Sequence, residues 1–257
     1  MSVYIYPYNT GSKSARALAN ALECKTIRHE GSHFHGRARS TVINWGSSQL
    51  PPEVLKCQVL NRAEQVRIAG NKLLTFQALQ AASVSIPQFT TEQRLAQSWL
   101  EQDYTVVARE VLTGHSGRGI TILEKGLDFV SAPCYTIYQK KDAEYRVHVV
   151  RDRVIDIQRK IKDPDRDVQC WKVRSHDNGF MFVRNREDGR SYLEVAEQSV
   201  KDQALLTVRA LGLDFAGVDV IYNNKLKQAF VLEANCAVGL EGHSVEVYRD
   251  AFRAIIR

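Results

Sequence analysis

The first strongly patterned stretch, "VYIY" from Val3 to Tyr6, is β-branched and aromatic, and "ARALANAL" beyond the polar turn "PYNTGSKS" sets alanine and leucine at helical spacing. Strand, turn and helix in that order make half of a βαβ unit. "TVINWG", Thr41 to Gly46, predicts a second strand after the Gly- and His-rich "HEGSHFHGRARS". The piece from Pro51 to Pro87 predicts mostly helix, with Leu73, Phe76, Leu79 and Ala82 at helical spacing and Pro87 as its stop. Past Pro87 the apolar runs shorten to strand length in "TVVAREVL", "GITILEK", "CYTIYQK", "EYRVHVV" and "VIDIQRKI", with the Gly-rich turn "TGHSGRG" between the first two. A helix from about Leu193 to Leu211 precedes two last apolar runs, Val218 to Tyr222 and Phe230 to Asn235. The order is an α/β start, a β-rich middle and an α+β end.

Composition adds bounds to this picture. The 257 residues are 44% hydrophobic and 25% charged, the make-up of a globular chain that can bury a sizeable core. The start lacks the charged and apolar regions of a secretory signal, and no apolar run approaches the roughly 18 residues of a spanning helix, so a cytoplasmic location without a membrane partner is expected. Five scattered cysteines suggest neither a disulfide framework nor a CxxC zinc site. The net charge of +6 is modest, but basic residues crowd the segment from Lys140 to Arg190, interleaved with nearly as many acids. That segment reads either as an ion-paired surface or as attraction for an anionic substrate. No nucleic-acid-binding motif, repeat or low-complexity tract is present, and nucleic acid is not an expected partner.

Several motifs are decoys. "TGSKS" lacks the glycine spacing of a phosphate-binding P-loop and reads as a helix start capped by Ser12 or Ser14. His29, His33 and His35 sit among glycines without further ligands nearby and read as a surface loop, while His115 and His148 have no identifiable partner. "GHSGRG", Gly114 to Gly119, is more informative, because three glycines joining two strands let backbone N–H groups approach phosphate oxygens, with Ser116 as a further donor. Arg109, upstream in an otherwise apolar run, needs an anionic partner if that run is buried.

The last two strands carry the strongest signal. Glu233 and Asn235 lie two apart, so both point to one face of a strand while Leu232 and Ala234 point to the other. Asp219 shares their face if the two runs form a hairpin centred near Leu226. An Asp, a Glu and an Asn clustered in buried strands supply the hard oxygen ligands that suit one or two Mg²⁺ ions, and an acid pair satisfied by nearby Arg or Lys is the alternative. Cys236, on the opposite face from Asn235, reads as core.

In this order the pieces resemble the ATP-grasp superfamily of ATP-dependent carboxylate-amine and carboxylate-thiol ligases, and within it the ribosomal-S6-modification-like and D-alanine:D-alanine-ligase-like branches. "EYRVHVV" looks like the family's D-x-R-x-x-V strand, "GVDV…VLEANCAVGLEG" is similar to its D…E-x-N metal strands, and "NKLLTFQALQAASVSIP" resembles the helix that ends in proline before the central domain. The resemblance runs from about Asn71 to Leu240. It implies an α+β/α/β ATP-grasp fold in three parts: an N-terminal partial Rossmann-like domain over residues 1–87, a central β-rich lobe with the glycine loop over 88–138, and a C-terminal lobe with the metal site over 139–257. ATP is then expected between two β-rich lobes, its phosphates under Gly114, Ser116, Gly117 and Gly119, with Lys72 and Arg109 also on the phosphates. The adenine would meet the backbone of Ile137, Tyr138, Gln139 and Lys140, and the ribose hydroxyls Glu144.

Asp219, Glu233 and Asn235 would hold the one or two Mg²⁺ ions, with Mn²⁺ able to substitute. Arg146 and Lys160, with Arg174 and Asn178, would stabilise the transferring phosphoryl group and the later tetrahedral adduct. The implied reaction joins an amine to a carboxylate of a small molecule, peptide or protein through an acyl phosphate, releasing ADP and phosphate. Two alternatives remain open on the sequence: a grasp-fold kinase of small molecules, and a non-catalytic ATP-binding protein.

Overall fold

The computed structural model describes residues 2–113 and 118–256. The opening strand–turn–helix forms as β1 (Val3–Pro7) and α1 (Lys13–Ala21), and Ser12 caps α1 by accepting from the Ala15 amide. The following elements are β2 (Lys25–Thr26), β3 (Thr41–Trp45), α2 (Pro52–Leu55), β4 (Gln58–Leu60), α3 (Ala63–Ala69) and α4 (Lys72–Ala81). All pairings in this first sheet are parallel, in the order β2-β1-β3-β4. The mostly helical stretch after Pro51 forms as α2, α3 and α4, and is interrupted by β4, where "QVL" pairs with β3 once α2 has turned the chain.

A second sheet is built from β5 (Phe89–Thr90), β6 (Val106–Arg109), β7 (Ile120–Leu123) and β8 (Cys134–Ile137), ordered β5-β8-β6-β7 and antiparallel throughout. α5 (Gln93–Glu101) covers one side of it through Ala96, Trp99 and Leu100. The third and largest sheet contains β9 (Ala143–Val150), β10 (Arg153–Lys162), β11 (Phe180–Val183), β12 (Phe215–Asn223) and β13 (Gln228–Asn235), in the order β11-β10-β9-β12-β13. The helix expected over 193–211 is two helices, α6 (Tyr192–Val195) and α7 (Gln198–Ala210), because Ala196 and Glu197 are extended, with ψ of 145° and 139°. α8 (His243–Ile255) closes the described chain and packs on α1.

Strand alternation gives the large sheet two unlike faces. Tyr145, Val147 and Val149 of β9, with Val218, Val220 and Val231 of the last hairpin, pack on α7 and α3 in the main core. The opposite face carries the polar residues of the same strands, which become the floor of a cavity. Burial of the first face, at roughly 1.5–3 kcal/mol per fully buried aliphatic side chain, holds the second in place. No helix among the described residues is long and apolar enough to cross a membrane.

Candidate functional site

Four polar residues stand opposite one another on four adjacent strands of the large sheet: Gln158 on β10, Arg146 on β9, Asp219 on β12 and Glu233 on β13. The last pairing depends on a β-bulge. From the turn inward the hairpin pairs Asn223 with Gln228 and Val220 with Val231, which would set Asp219 opposite Leu232. The register slips by one residue there, so Asp219 meets Glu233 and Leu232 is the extra residue. Leu232 therefore lines the same cavity as Glu233 and Asn235, which corrects its expected place on the opposite face. Cys236 sits in the core, and burial pushes its thiol up to about 12.

This row is densely paired. Arg146 donates from Nε to Asp219 Oδ1 at 2.6 Å and from its terminal nitrogen to Oδ2 at 2.8 Å, a bidentate pair. Burial raises the Asp219 carboxyl, and the attraction of Arg146 only partly offsets that rise. Glu233 is ion-paired with Lys72 and accepts from Asn235 Nδ2 at 3.0 Å. Burial pushes Glu233 upward as well, but Lys72, Asn235 and Arg146 outweigh it and hold the carboxyl well below the usual range. Lys72 reaches this point because Asn71 caps α4, accepting from the Leu73 and Leu74 amides at 3.1 Å. The Lys72 amide in turn donates to Leu112 O at 2.9 Å, tying α4 to the foot of the glycine loop.

Beside this row, Glu144 is 3% exposed and both its oxygens are engaged: Lys160 Nζ lies 2.5 Å from Oε1 and Lys141 Nζ 2.7 Å from Oε2. Burial raises that carboxyl and the two lysines more than reverse the rise. Lys160 also donates to Arg174 O at 2.9 Å and stands 4.0 Å from Asp219 Oδ2. Phe182 of β11 underlies both cations, its ring centre 4.4 Å from the Arg146 guanidinium carbon and 5.0 Å from Lys160 Nζ.

The second sheet forms the roof. Val107, Arg109, Ile120, Ile122, Thr136 and Ile137 face Ile221 and Leu232 across a cavity of about 840 Å³, and Tyr138 and Gln139 close its side. Arg109 is 8% exposed, and burial pulls its guanidinium downward with Cys134 and Glu233 opposing. The Nε atoms of Arg109 and Arg174 are buried without a hydrogen-bond acceptor among the described residues, and both side chains line this cavity. Lys and Arg side chains in the lining outnumber the four carboxylates, Glu144, Asp219, Glu233 and Glu241, by two to one. Such a lining has the charge and the spare donors for a polyanion. Across the mouth, Lys172 of the 163–179 loop is ion-paired with Glu124 at the end of β7, joining roof to floor.

Of the residues singled out in the sequence, Lys72, Arg109, Ile137, Tyr138, Gln139, Glu144, Arg146, Lys160, Arg174, Asp219, Glu233 and Asn235 converge on this cavity. Gly114, Ser116 and Gly117 lie outside the described residues. Lys140 is exposed, and its neighbour Lys141 takes the buried position. Asn178 is spent within its own loop, accepting from the Gln169 and Cys170 amides at 3.0 and 3.1 Å and donating to the Cys170 and Val173 carbonyls. Sequence reasoning missed Lys141, Phe182 and Leu232. The doubled lysine in "QKKDAE" and the aromatic alternation of "FMFV" signal the first two, whereas nothing local marks the bulge at Leu232.

Gly119 does not line the cavity but shapes the end of the loop beside it: its φ is +65°, and a Cβ there would lie 2.6 Å from Val111 Cγ2 and 2.9 Å from the Val111 amide nitrogen. Gly119→Ala is expected to strain this turn by about 1–2 kcal/mol for the left-handed backbone alone. The check is the dissociation constant for a nucleotide added to the chain, which should rise at an unchanged far-ultraviolet circular dichroism spectrum.

Among the described residues no group of three or more His, Cys, Asp and Glu side chains is placed to hold a metal. The donor set at the row is instead two carboxylates, directly opposite on the hairpin, and the Asn235 amide oxygen two positions along β13. These are hard oxygen donors of the kind Mg²⁺ takes, and the cations now on them are the natural partners of phosphate oxygens, so the residues fit a divalent cation arriving with a polyphosphate.

No protein-family model matches the chain. Over 192 residues it is 30% identical to the probable alpha-L-glutamate ligase of Haemophilus ducreyi, covering 73% of this chain and 61% of the relative. The probable alpha-L-glutamate ligase of Mannheimia succiniciproducens is 26% identical over 193 residues, covering 71% and 60%. The chain thus spans about 60% of the length of the curated relatives it matches. The ATP-grasp ligase PsnB in complex with a minimal precursor superposes with a TM-score of 0.70 at 15% identity over 99% of both chains. The same ligase with minimal precursor, Mg and ADP gives 0.67 at 15% identity, over 100% of this chain and 97% of that one.

Proposed function

We propose, from the premise that the fold is that of the ATP-grasp superfamily, that this chain is an ATP- and Mg²⁺-dependent ligase joining a carboxylate to an amine through an acyl phosphate. The observation that carries the reading is the pair of buried, acceptor-less Nε donors of Arg109 and Arg174, above a row in which two carboxylates are held by cations. A triphosphate supplies the missing acceptors.

In this reading ATP enters between roof and floor, with its base between the aliphatic side chains of Ile137, Ile221 and Leu232 and against the backbone of Tyr138 and Gln139. Lys72 and Arg109 turn to the phosphate oxygens. Asp219, Glu233 and Asn235 would hold the divalent cation, whose contribution would be to neutralise phosphate charge. Arg146 and Lys160, fixed by Asp219, Glu144 and the Phe182 ring, meet the γ-phosphate without reorganising, which is where preorganised charge is most effective. A carboxylate oxygen of the acceptor attacks the γ-phosphorus, the bond to the β,γ-bridging oxygen breaks, and ADP leaves. The amine then attacks the acyl carbon, the carbon–oxygen bond to phosphate breaks, and the amine proton passes to solvent. Arg174 faces the oxyanion of that adduct. We assign Glu144 to positioning Lys160 and Lys141, in place of the ribose contact, since both its oxygens are engaged. Asn178 holds the loop that presents Arg174 and takes no part in the chemistry.

The names of the curated relatives favour L-glutamate as the amine, and its carboxylates suit Arg118 and Lys172, two further cations of the cavity lining. The test is incubation with ATP, Mg²⁺, L-glutamate and candidate carboxylates, with hydroxylamine as a trap. Carboxylate-dependent ADP release with an acyl hydroxamate is the expected result. A stable phosphate ester would replace the ligase by a kinase, and nucleotide binding without ADP formation would make the protein a binder.

A further inference from the structure

A second cavity, of about 620 Å³, lies against the first sheet and shares no lining residue with the cavity described above. Lys25, Arg28, Arg37 and Arg39 line it, and no carboxylate does. None of these four cations has an ion pair or a side-chain hydrogen bond among the described residues. Single unpaired cations occur elsewhere on the surface, as at Lys13 and Lys225, but here four of them line one groove without a carboxylate among them. Four unpaired like charges facing one groove repel each other, and an anion that enters relieves the repulsion.

We propose that this groove is an exosite for a carboxylate-rich peptide segment, held away from the reacting atoms. Two observations favour a peptide over a nucleic acid. β2 is the outer strand of its sheet and pairs with β1 alone among the described residues, so its free edge can hydrogen-bond an extended chain. Of the rings that line the groove, the two large ones, Tyr4 and Phe34, are locked edge-to-face at 4.8 Å and 68°, which leaves the smaller imidazoles of His33 and His35 as its exposed rings, whereas single-stranded nucleic acid binds through large aromatic platforms open to base stacking. That the segment is rich in carboxylates, of the kind glutamate addition would create, rests on the ligase reading given above.

The experiment measures fluorescence anisotropy of a labelled hexaglutamate peptide on the intact chain, without ATP. The wild type should bind it more weakly as salt rises and should ignore hexaglutamine. R37Q/R39Q, and independently K25Q/R28Q at the other end of the lining sequence, should each weaken binding at least tenfold. All four side chains are exposed, so a fluorescent ATP analogue should bind both variants as it binds the wild type. Equal hexaglutamate affinity in wild type and both variants, or tighter binding of a hexauridylate than of hexaglutamate, would overturn the exosite. Hexaglutamate binding that depends on these cations in a protein that forms no ADP would support the exosite and overturn the ligase reading alone.

Discussion

Arg146→Met is expected to cost the protein both its turnover and a large part of its stability. The guanidinium is the bidentate partner of Asp219, a carboxylate 4% exposed in the middle of a five-stranded sheet. Removing one member of a buried pair leaves the other charge uncompensated, at about 3–5 kcal/mol. Loss of a preorganised donor to the transferring phosphoryl group should also lower turnover by about 10²–10³-fold. The double variant Arg146→Met/Asp219→Asn removes the stranded charge, so urea midpoints should recover much of the lost stability, and turnover should stay low because Asp219 is itself offered to the cation. Arg146→Lys isolates the other effect: it keeps a charge beside Asp219 but loses the bidentate fork, so it should keep most of the stability and still lose turnover, and wild-type turnover in Arg146→Lys would make the guanidinium a structural partner of Asp219 and nothing more.

Glu233→Gln has the second largest expected effect, and its signature lies in the metal dependence. Glutamine keeps the shape and can still accept from Asn235, but it removes one of two carboxylates offered to the cation and leaves Lys72 without its counter-charge. The Mg²⁺ concentration for half-maximal turnover should rise by at least the roughly 10–100-fold that loss of mere outer-shell support costs a metal site. Nucleotide binding without metal should tighten, because one negative charge fewer faces the phosphates. Titration of turnover with Mg²⁺ and equilibrium binding in chelator give the two readings. An unchanged Mg²⁺ requirement would remove Glu233 from the metal set and leave it as the anchor of Lys72.

How far the site could be read in the sequence follows from the range of the signals. Glu233 and Asn235 are legible as a pair because strand parity is local and survives any tertiary arrangement. Arg146 and Glu144 stand out as charges in the β-patterned "EYRVHVV". Asp219 is legible only conditionally, since its face depends on a slip in register that no residue between Val218 and Asn235 announces. The inward turn of Lys141 is not legible for a related reason: the residue follows β8 and precedes β9, where no period applies, and only the fold decides that its side chain points inward. The family resemblance alone places Asn178 beside Arg174, and no local pattern announces what its side chain does: a loop without ladder hydrogen bonds needs a side-chain amide to satisfy its backbone, and Asn178 supplies it. Short strands such as β2, β4, β5 and β11 escaped because two to four residues carry too little pattern to stand out.

The slipped residue at Leu232 has one more consequence. A regular strand delivers a side chain to a given surface only every second residue, about 7 Å apart. At the bulge two successive residues serve the same surface, one aliphatic and one anionic, so the cavity wall passes from oily to charged within a single peptide step. A molecule lying across that step meets an aliphatic surface and, one residue on, a carboxylate already paired with Lys72. The border between Leu232 and Glu233 is thus where apolar contact on this wall gives way to the ion pairs and to any cation they would share.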